Sequence, residues 1–234
     1  GFVRCWGTNE TGALGLDAEW YPTTPTLVTV SDDNREALVA KRIWTGPSNT
    51  CALLANDQLT CWGDPTFGVT GFNIGDQPVN RPRPSQSIQI HNNGGPLMGV
   101  VDVAIGHKHA CAINEDGKVA CWGTGNQGQL GIGPPVQNSP SAQAQWVRTG
   151  QDSTPNERMI AVVTAAQEHD DNALTCALSE TGQILCWGRN PHGVARDAQR
   201  YTLPLQLDYA TVVGTGEPMR QLAIANGQIC ALNE

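Results

Sequence analysis

Charge is scarce in this chain. Asp, Glu, Lys and Arg make up 15% of its 234 residues, with Lys and Arg at 14 against 22 acids. A net charge of −8 and no basic stripe argue against a sequence-general nucleic-acid binder, which needs positive charge to release counterions. The nearest approach to a basic patch is Arg81-Pro82-Arg83-Pro84. Adhesion to an anionic membrane is disfavoured for the same reason. No run of 18 apolar residues occurs, so no membrane-spanning helix and no membrane insertion are expected. No segment sustains helical periodicity beyond a turn or two. There is no Gly-x-Ser-x-Gly elbow and no phosphate loop.

What is present is Gly (26), Pro (15) and eight cysteines in a fixed pattern. Glycine and proline at this level suit many short strands and turns. Cys-Trp-Gly stands at Cys5, Cys61, Cys121 and Cys186. Ten residues upstream of the last three, Cys51, Cys111 and Cys176 open Cys-Ala-Leu or Cys-Ala-Ile. A fourth Cys-Ala-Leu begins at Cys230. The Cys-Ala phrases are 60, 65 and 54 residues apart, which makes the chain a repeat protein of about four units in one domain, 1–234. The units run approximately over 1–61, 62–121, 122–186 and 187–234, the last blade being completed by residues 1–7. Gly1 falls inside a repeat, with no initiator Met and no signal peptide before it. That predicts a processed product, an expressed piece or part of a longer polypeptide.

The third copy shows the strands most clearly. Val101, Val103 and Ile105 alternate as in a strand. Cys111 and Ile113 share one face of the next strand, and Val119 and Cys121 share one face of the strand after it. Cys111 and Cys121 lie symmetrically about Asp116. Their direct pairing leaves a three-residue loop, Glu115-Asp116-Gly117, whose last residue must be left-handed. Gly182 occupies that place in the fourth copy. Asp57 occupies it in the second, and Asp tolerates the conformation better than most residues. Directly opposed residues lie about 4.5–5.5 Å apart at Cα, within disulfide reach. The register therefore predicts Cys51–Cys61, Cys111–Cys121 and Cys176–Cys186. Leu53 with Leu59, Ile113 with Val119, and Leu178 with Ile184 complete a sulfur-and-aliphatic face on each hairpin, to be buried against the next repeat. Each short loop stabilises by about 2–3 kcal/mol in the chain-entropy account.

Two other uses of the cysteines are reduced thiols and zinc ligation. Eight reduced thiols would act as small buried hydrophobes. Zinc would ask for closer ligand pairs than a ten-residue stride gives. Regular, even-numbered cysteines instead point to an oxidising compartment: extracellular, cell-surface or periplasmic.

Cys230 to Glu234 align with Cys111 to Glu115, and Gly1 to Cys5 with Gly117 to Cys121. The two ends thus carry complementary halves of one hairpin. Either they meet in one molecule through Cys5–Cys230, or neighbouring repeats or a second copy complete each end.

After Cys-Trp-Gly the third copy reads Thr124-Gly125-Asn126-Gln127-Gly128-Gln129-Leu130-Gly131, and the first Thr8-Asn9-Glu10-Thr11-Gly12-Ala13-Leu14-Gly15. This resembles the repeat of the regulator of chromosome condensation family, with Gly106 and His109 at its Gly and His. The second copy departs at Phe67-Gly68-Val69-Thr70-Gly71, and the fourth keeps only Gly193-Val194. The resemblance implies an all-β fold, a β-propeller of about four four-stranded blades with one disulfide per blade hairpin. It is complete, part of a larger propeller, or completed in trans. Family members usually have seven blades, and intracellular ones do not need cysteine pairs. The chain looks like a secreted, bacterial-type variant.

Family functions range over small-GTPase exchange factors, a chromatin-bound regulator, ubiquitin-ligase modules and a secreted β-lactamase inhibitor. Fold does not choose among them. Disulfides and acidity disfavour an exchange factor. The reading from sequence is a non-enzymatic module that binds a protein partner or assembles with itself, without a cofactor. Long loops between the repeat segments supply the binding surface. Trp20 and Tyr21 are candidate anchors, the alternative being that both rings pack under their own loop. A glycan-binding or hydrolytic propeller is the second reading. Glu168-His169-Asp170-Asp171, His107, His109 and His192 are its reactive-looking groups, yet neighbours on an extended chain point to opposite faces. Asp32-Asp33-Asn34 and Asp170-Asp171-Asn172 lack calcium-loop spacing, so no metal site is expected.

Overall fold

The computed structural model describes residues 1–16, 21–30, 36–71, 86–132, 141–148, 157–165, 173–189, 200–207, 218–225 and 228–233. Among them there are strands and no helix. The strands are β1 (Arg4–Cys5), β2 (Thr26–Leu27), β3 (Ala40–Thr45), β4 (Asn49–Leu54), β5 (Leu59–Gly63), β6 (Val100–Ile105), β7 (His109–Asn114), β8 (Val119–Gly123), β9 (Ser141–Trp146), β10 (Met159–Thr164), β11 (Leu174–Ser179), β12 (Ile184–Arg189), β13 (Arg200–Leu207), β14 (Met219–Ala225) and β15 (Gln228–Asn233). They form antiparallel sheets in the orders β1-β2, β3-β4-β5, β6-β7-β8-β9, β10-β11-β12-β13 and β14-β15. Ile88 adds a fourth edge to the second of these, its amide donating to Leu59 O at 2.8 Å. The sequence units are offset from the sheets. The sheet β6 to β9 takes its first strands from unit 62–121 and its last from 122–186.

The hairpin register is the one the cysteine spacing predicts. Cys51 faces Cys61, Cys111 faces Cys121 and Cys176 faces Cys186. All three pairs are disulfides with Cα atoms 4.1 Å apart, slightly closer than expected for an unbridged pair. The tips are three-residue loops. The Gly117 amide donates to Asn114 O at 2.8 Å and the Asn114 amide to Lys118 O at 3.0 Å. Asp57, Gly117 and Gly182 hold φ of 64°, 76° and 86°, the left-handed conformation the loop length demands.

The first strand of four of the five sheets departs from simple alternation. The register shifts between Ala40 and Arg42, Val100 and Asp102, Met159 and Ala161, and Met219 and Gln221. These are bulges at the same place in successive repeats. The run that alternates at Val101, Val103 and Ile105 is the strand β6, and the extra residue leaves Val101 exposed while Val103 and Ile105 are buried.

The sulfur-and-aliphatic faces bury as anticipated, each against the next sheet. Cys51, Leu53, Leu59 and Cys61 share a core with Val100, Val103, Ile105 and Trp122. Cys111, Ile113, Val119 and Cys121 pack with Met159, Val162 and Trp187. Cys176, Leu178, Ile184 and Cys186 pack with Met219 and Leu222. The first sheet joins the second through Val3, Val28 and Leu38 against Ala40, Leu54 and Trp62.

Cys5 and Cys230 do not follow the other six. Both are free thiols, Cys5 half-buried and Cys230 exposed. The physical reason is a missing strand pairing, since the bridged Cys111 lies between Ala104 on one side and Cys121 on the other. Cys5 lies opposite Thr26 and Cys230 opposite Ala223, and in this structure neither strand pairs with the other.

Candidate interaction surface

Each repeat is locked to its neighbour by polar contacts as well as by apolar burial. The Trp122 indole donates to Val69 O at 2.8 Å, and Trp187 to Gln129 O at 2.9 Å. Both acceptors sit in the turn after the preceding Cys-Trp-Gly, Gly68-Val69-Thr70-Gly71 and Gly128-Gln129-Leu130-Gly131. Thr175 Oγ1 also donates to Gln129 O, at 3.1 Å, and Thr50 Oγ1 donates to the matching Ala13 O at 2.7 Å. Trp62 is as buried as Trp122, but its indole nitrogen has no partner among the described residues. Trp6 carries no such load. It is 57% exposed, where its three counterparts are buried.

His109 lies in this framework rather than in a reactive site. Its Nε2 is 2.8 Å from Thr175 Oγ1, on the next sheet. That partner is a side chain 66 residues away rather than a group near its own turn. Burial lowers its pKa to about 4. His107 stacks obliquely on Phe67, with ring centroids 5.7 Å apart. Among the described residues no group of three or more His, Cys, Asp or Glu is placed to hold a metal ion. His169, Asp170, Asp171, His192 and the segment Asp32-Asp33-Asn34 lie outside the described residues.

Of the two candidate anchors, Trp20 also lies outside the described residues. Tyr21 is 61% exposed, and its hydroxyl donates to Glu10 Oε1 at 2.5 Å. That hydrogen bond, and then the carboxylate's charge, raise the phenol pKa. Sequence reasoning did not find a second exposed aromatic site. Trp146, at the end of β9, borders a groove with Met98 and the Asn114-Glu115-Asp116 tip. Gln145-Trp146-Val147 reads as a strand, and nothing in its pattern says that Trp146 faces out.

The comparisons with known proteins agree with this geometry. The model for the regulator of chromosome condensation (RCC1) repeat matches residues 100–129 and 174–194. The human probable E3 ubiquitin-protein ligase HERC6 is 30% identical over 150 residues, 64% of this chain and 13% of that protein. Human WBSCR16 superposes with a TM-score of 0.72 at 21% identity, covering 98% of this chain and 53% of that one. Prp20p of Saccharomyces cerevisiae, reported with its binding properties to Gsp1p and histones, gives 0.72 at 17% identity, 98% of this chain and 50% of that one. The chain thus spans about half the length of these solved relatives and a smaller part of the ligase. With Trp-Gly strands stacked on the turns of preceding repeats, it is similar to the regulator of chromosome condensation repeat over the matched residues and has the propeller fold of these solved structures.

Proposed function

We propose that the chain is a non-enzymatic propeller module that binds a protein partner or assembles through its own repeats in an oxidising compartment: extracellular, cell-surface or periplasmic. The observation that carries this is the uncovered Trp6. Its three counterparts are sealed by a neighbouring repeat, and Phe2 beside it is 71% exposed. A face built like the inter-repeat contacts but left open is suited to take another protein surface. At the other edge Cys230 and Leu232 stand exposed on β15, where Cys51 and Leu53 of β4 are buried. Disulfides inside hairpins support the compartment, because such bonds persist where thiols are not kept reduced. Support for a protein partner also comes from Prp20p, reported to bind Gsp1p and histones.

Residues 1–7 and the β14–β15 pair are complementary halves of a last blade in this reading, joined by Cys5 and Cys230 within one molecule or between copies. Trp20 and Tyr21 serve as partner anchors in the same reading. The test is intact mass under native, non-reducing conditions with alkylation of free thiols. An internal Cys5–Cys230 bond, or a dimer linked through these two cysteines and lost in Cys230→Ser, is the expected result. A monomer with both thiols alkylated after oxidation with glutathione disulfide would overturn the assembly reading.

A further inference from the structure

The groove beside Trp146 has a composition of its own. It encloses about 370 Å³ at the junction of two blades. Leu97 and Ile90 form an apolar floor, and Met98 and Trp146, 44% and 39% exposed, form the walls. The rim is acidic, with Glu115 and Asp116 both exposed on the β7–β8 tip. Backbone geometry holds that tip over the groove. The Glu115 amide donates to Gly99 O at 2.7 Å, and Arg158 donates from Nη2 to Glu115 O. Gly99, at φ 65°, leaves room for the Glu115 side chain, since a Cβ there would lie 3.1 Å from its Cγ. Asp116 accepts from Asn114 Nδ2 at 3.2 Å. Neither carboxylate forms an ion pair among the described residues.

We propose that this groove binds a single lysine or arginine side chain presented by a partner protein. The methylene stem lies along Met98 and the Trp146 ring, and the cationic head reaches Glu115 and Asp116. Each half of that ligand matches a feature of the groove. An aromatic face attracts a cation and covers its alkyl stem. Two exposed carboxylates supply the ion pair, Arg158 being engaged at the Glu115 carbonyl, and a protein of net charge −8 steers basic partners toward itself. A neutral saccharide would use the ring but leave the two charges uncompensated. The inference rests on the reading that this module binds protein, and it names the kind of surface it would take.

The experiment is a nitrogen-15 NMR titration of the full chain with a capped Gly-Arg-Gly peptide, its norleucine analogue and the chitin trisaccharide. The arginine peptide should shift the Trp146 indole and the amides of Met98 and Glu115 saturably, with a millimolar Kd. The norleucine peptide should not. Binding should weaken at least about tenfold in Glu115→Gln/Asp116→Asn, whose exposed sites leave the fold intact, and fade with salt. Trp146→Ala should abolish it. Shifts that persist in the double variant, or none with arginine, overturn the groove assignment while the assembly test at Cys5 and Cys230 stands untouched. Saturable shifts from the trisaccharide instead would overturn the groove assignment and favour a glycan-binding propeller.

Discussion

His109 Nε2 and Thr175 Oγ1 meet at 2.8 Å across two sheets, and the hydroxyl's other contact decides which atom donates. Thr175 gives its proton to Gln129 O at 3.1 Å, so it must accept from His109. The imidazole is thereby held with its proton on Nε2, and burial keeps it neutral.

The pH dependence follows from that neutrality. The folded pKa is about 4 and the reference value is 6.5, so between these values the unfolded chain binds more protons. Stability contributed by neutral His109 is full above pH 6.5 and is lost as pH falls toward 4. By about pH 4.5 the loss should reach roughly 2–3 kcal/mol. Urea midpoints at neutral pH and at that pH, for the wild type and His109→Gln, measure it. The glutamine amide keeps a donor to Thr175 without titrating, so the wild type should lose more stability than the variant. Equal losses would place the acid sensitivity elsewhere.

The Trp ladder offers an internal control. Trp122 and Trp62 are equally buried, but only Trp122 donates to a carbonyl, that of Val69. Replacement by Phe removes similar volume at both sites. At Trp122 it also strands a buried acceptor, a cost of about 1–3 kcal/mol. Trp122→Phe should therefore destabilise more than Trp62→Phe by about that difference, read from thermal or urea unfolding. At Trp6 the same change should be close to neutral, because its ring is mostly in solvent.

What was legible in the sequence was local. Cys111 and Cys121 reveal their register because both strands and the intervening turn lie within a dozen residues, and the turn's left-handed residue is visible as Gly117. Burial of each hairpin face against the next sheet follows from its chemistry. The strand through Val101, Val103 and Ile105 is legible by alternation, but the exposure of Val101 is not, because a bulge at Val100/Asp102 carries no signature in these side chains. The partner of His109 and the acceptors of Trp122 and Trp187 lie 66, 53 and 58 residues away in neighbouring repeats, beyond what spacing reports. The free state of Cys5 and Cys230 is a matter of which edges meet, which no local pattern encodes. Trp146 lies in β9, and its place at a groove depends on the loop carrying Met98 just before β6, which its own strand pattern does not report.

The hairpin tips separate backbone from side-chain demands. Gly117 has φ 76°, and a Cβ there would lie 2.2 Å from Arg158 Cγ and 2.8 Å from its Cα. Gly117→Ala combines strain with a backbone clash and should cost more than about 2 kcal/mol. Asp57 holds the same conformation with a side chain in solvent, paired to Lys41 at 2.5 Å. Asp57→Gly relieves the backbone and removes an exposed ion pair, so stability should change by less than about 1 kcal/mol. Urea unfolding of both variants tests the contrast, and similar costs at the two tips would contradict it.

Thiol chemistry should sort the eight cysteines into three classes. The six bridged sulfurs belong to fully buried residues, so a mild reductant should leave them intact until the fold opens. Cys230 is exposed and should alkylate first. Cys5 is half-buried and its pKa is raised by that burial, which lowers the thiolate fraction available to attack iodoacetamide. Mass spectrometry of native protein first treated with that mild reductant, which opens any Cys5–Cys230 bond, and then pulsed with iodoacetamide should therefore show Cys230 labelled well before Cys5 and none of the other six. Labelling of Cys111 or Cys121 in the native state would mean that the stapled hairpins open locally. In that case removing the pair with Cys111→Ala/Cys121→Ala would cost far less than the roughly 2–3 kcal/mol expected of a short-loop disulfide.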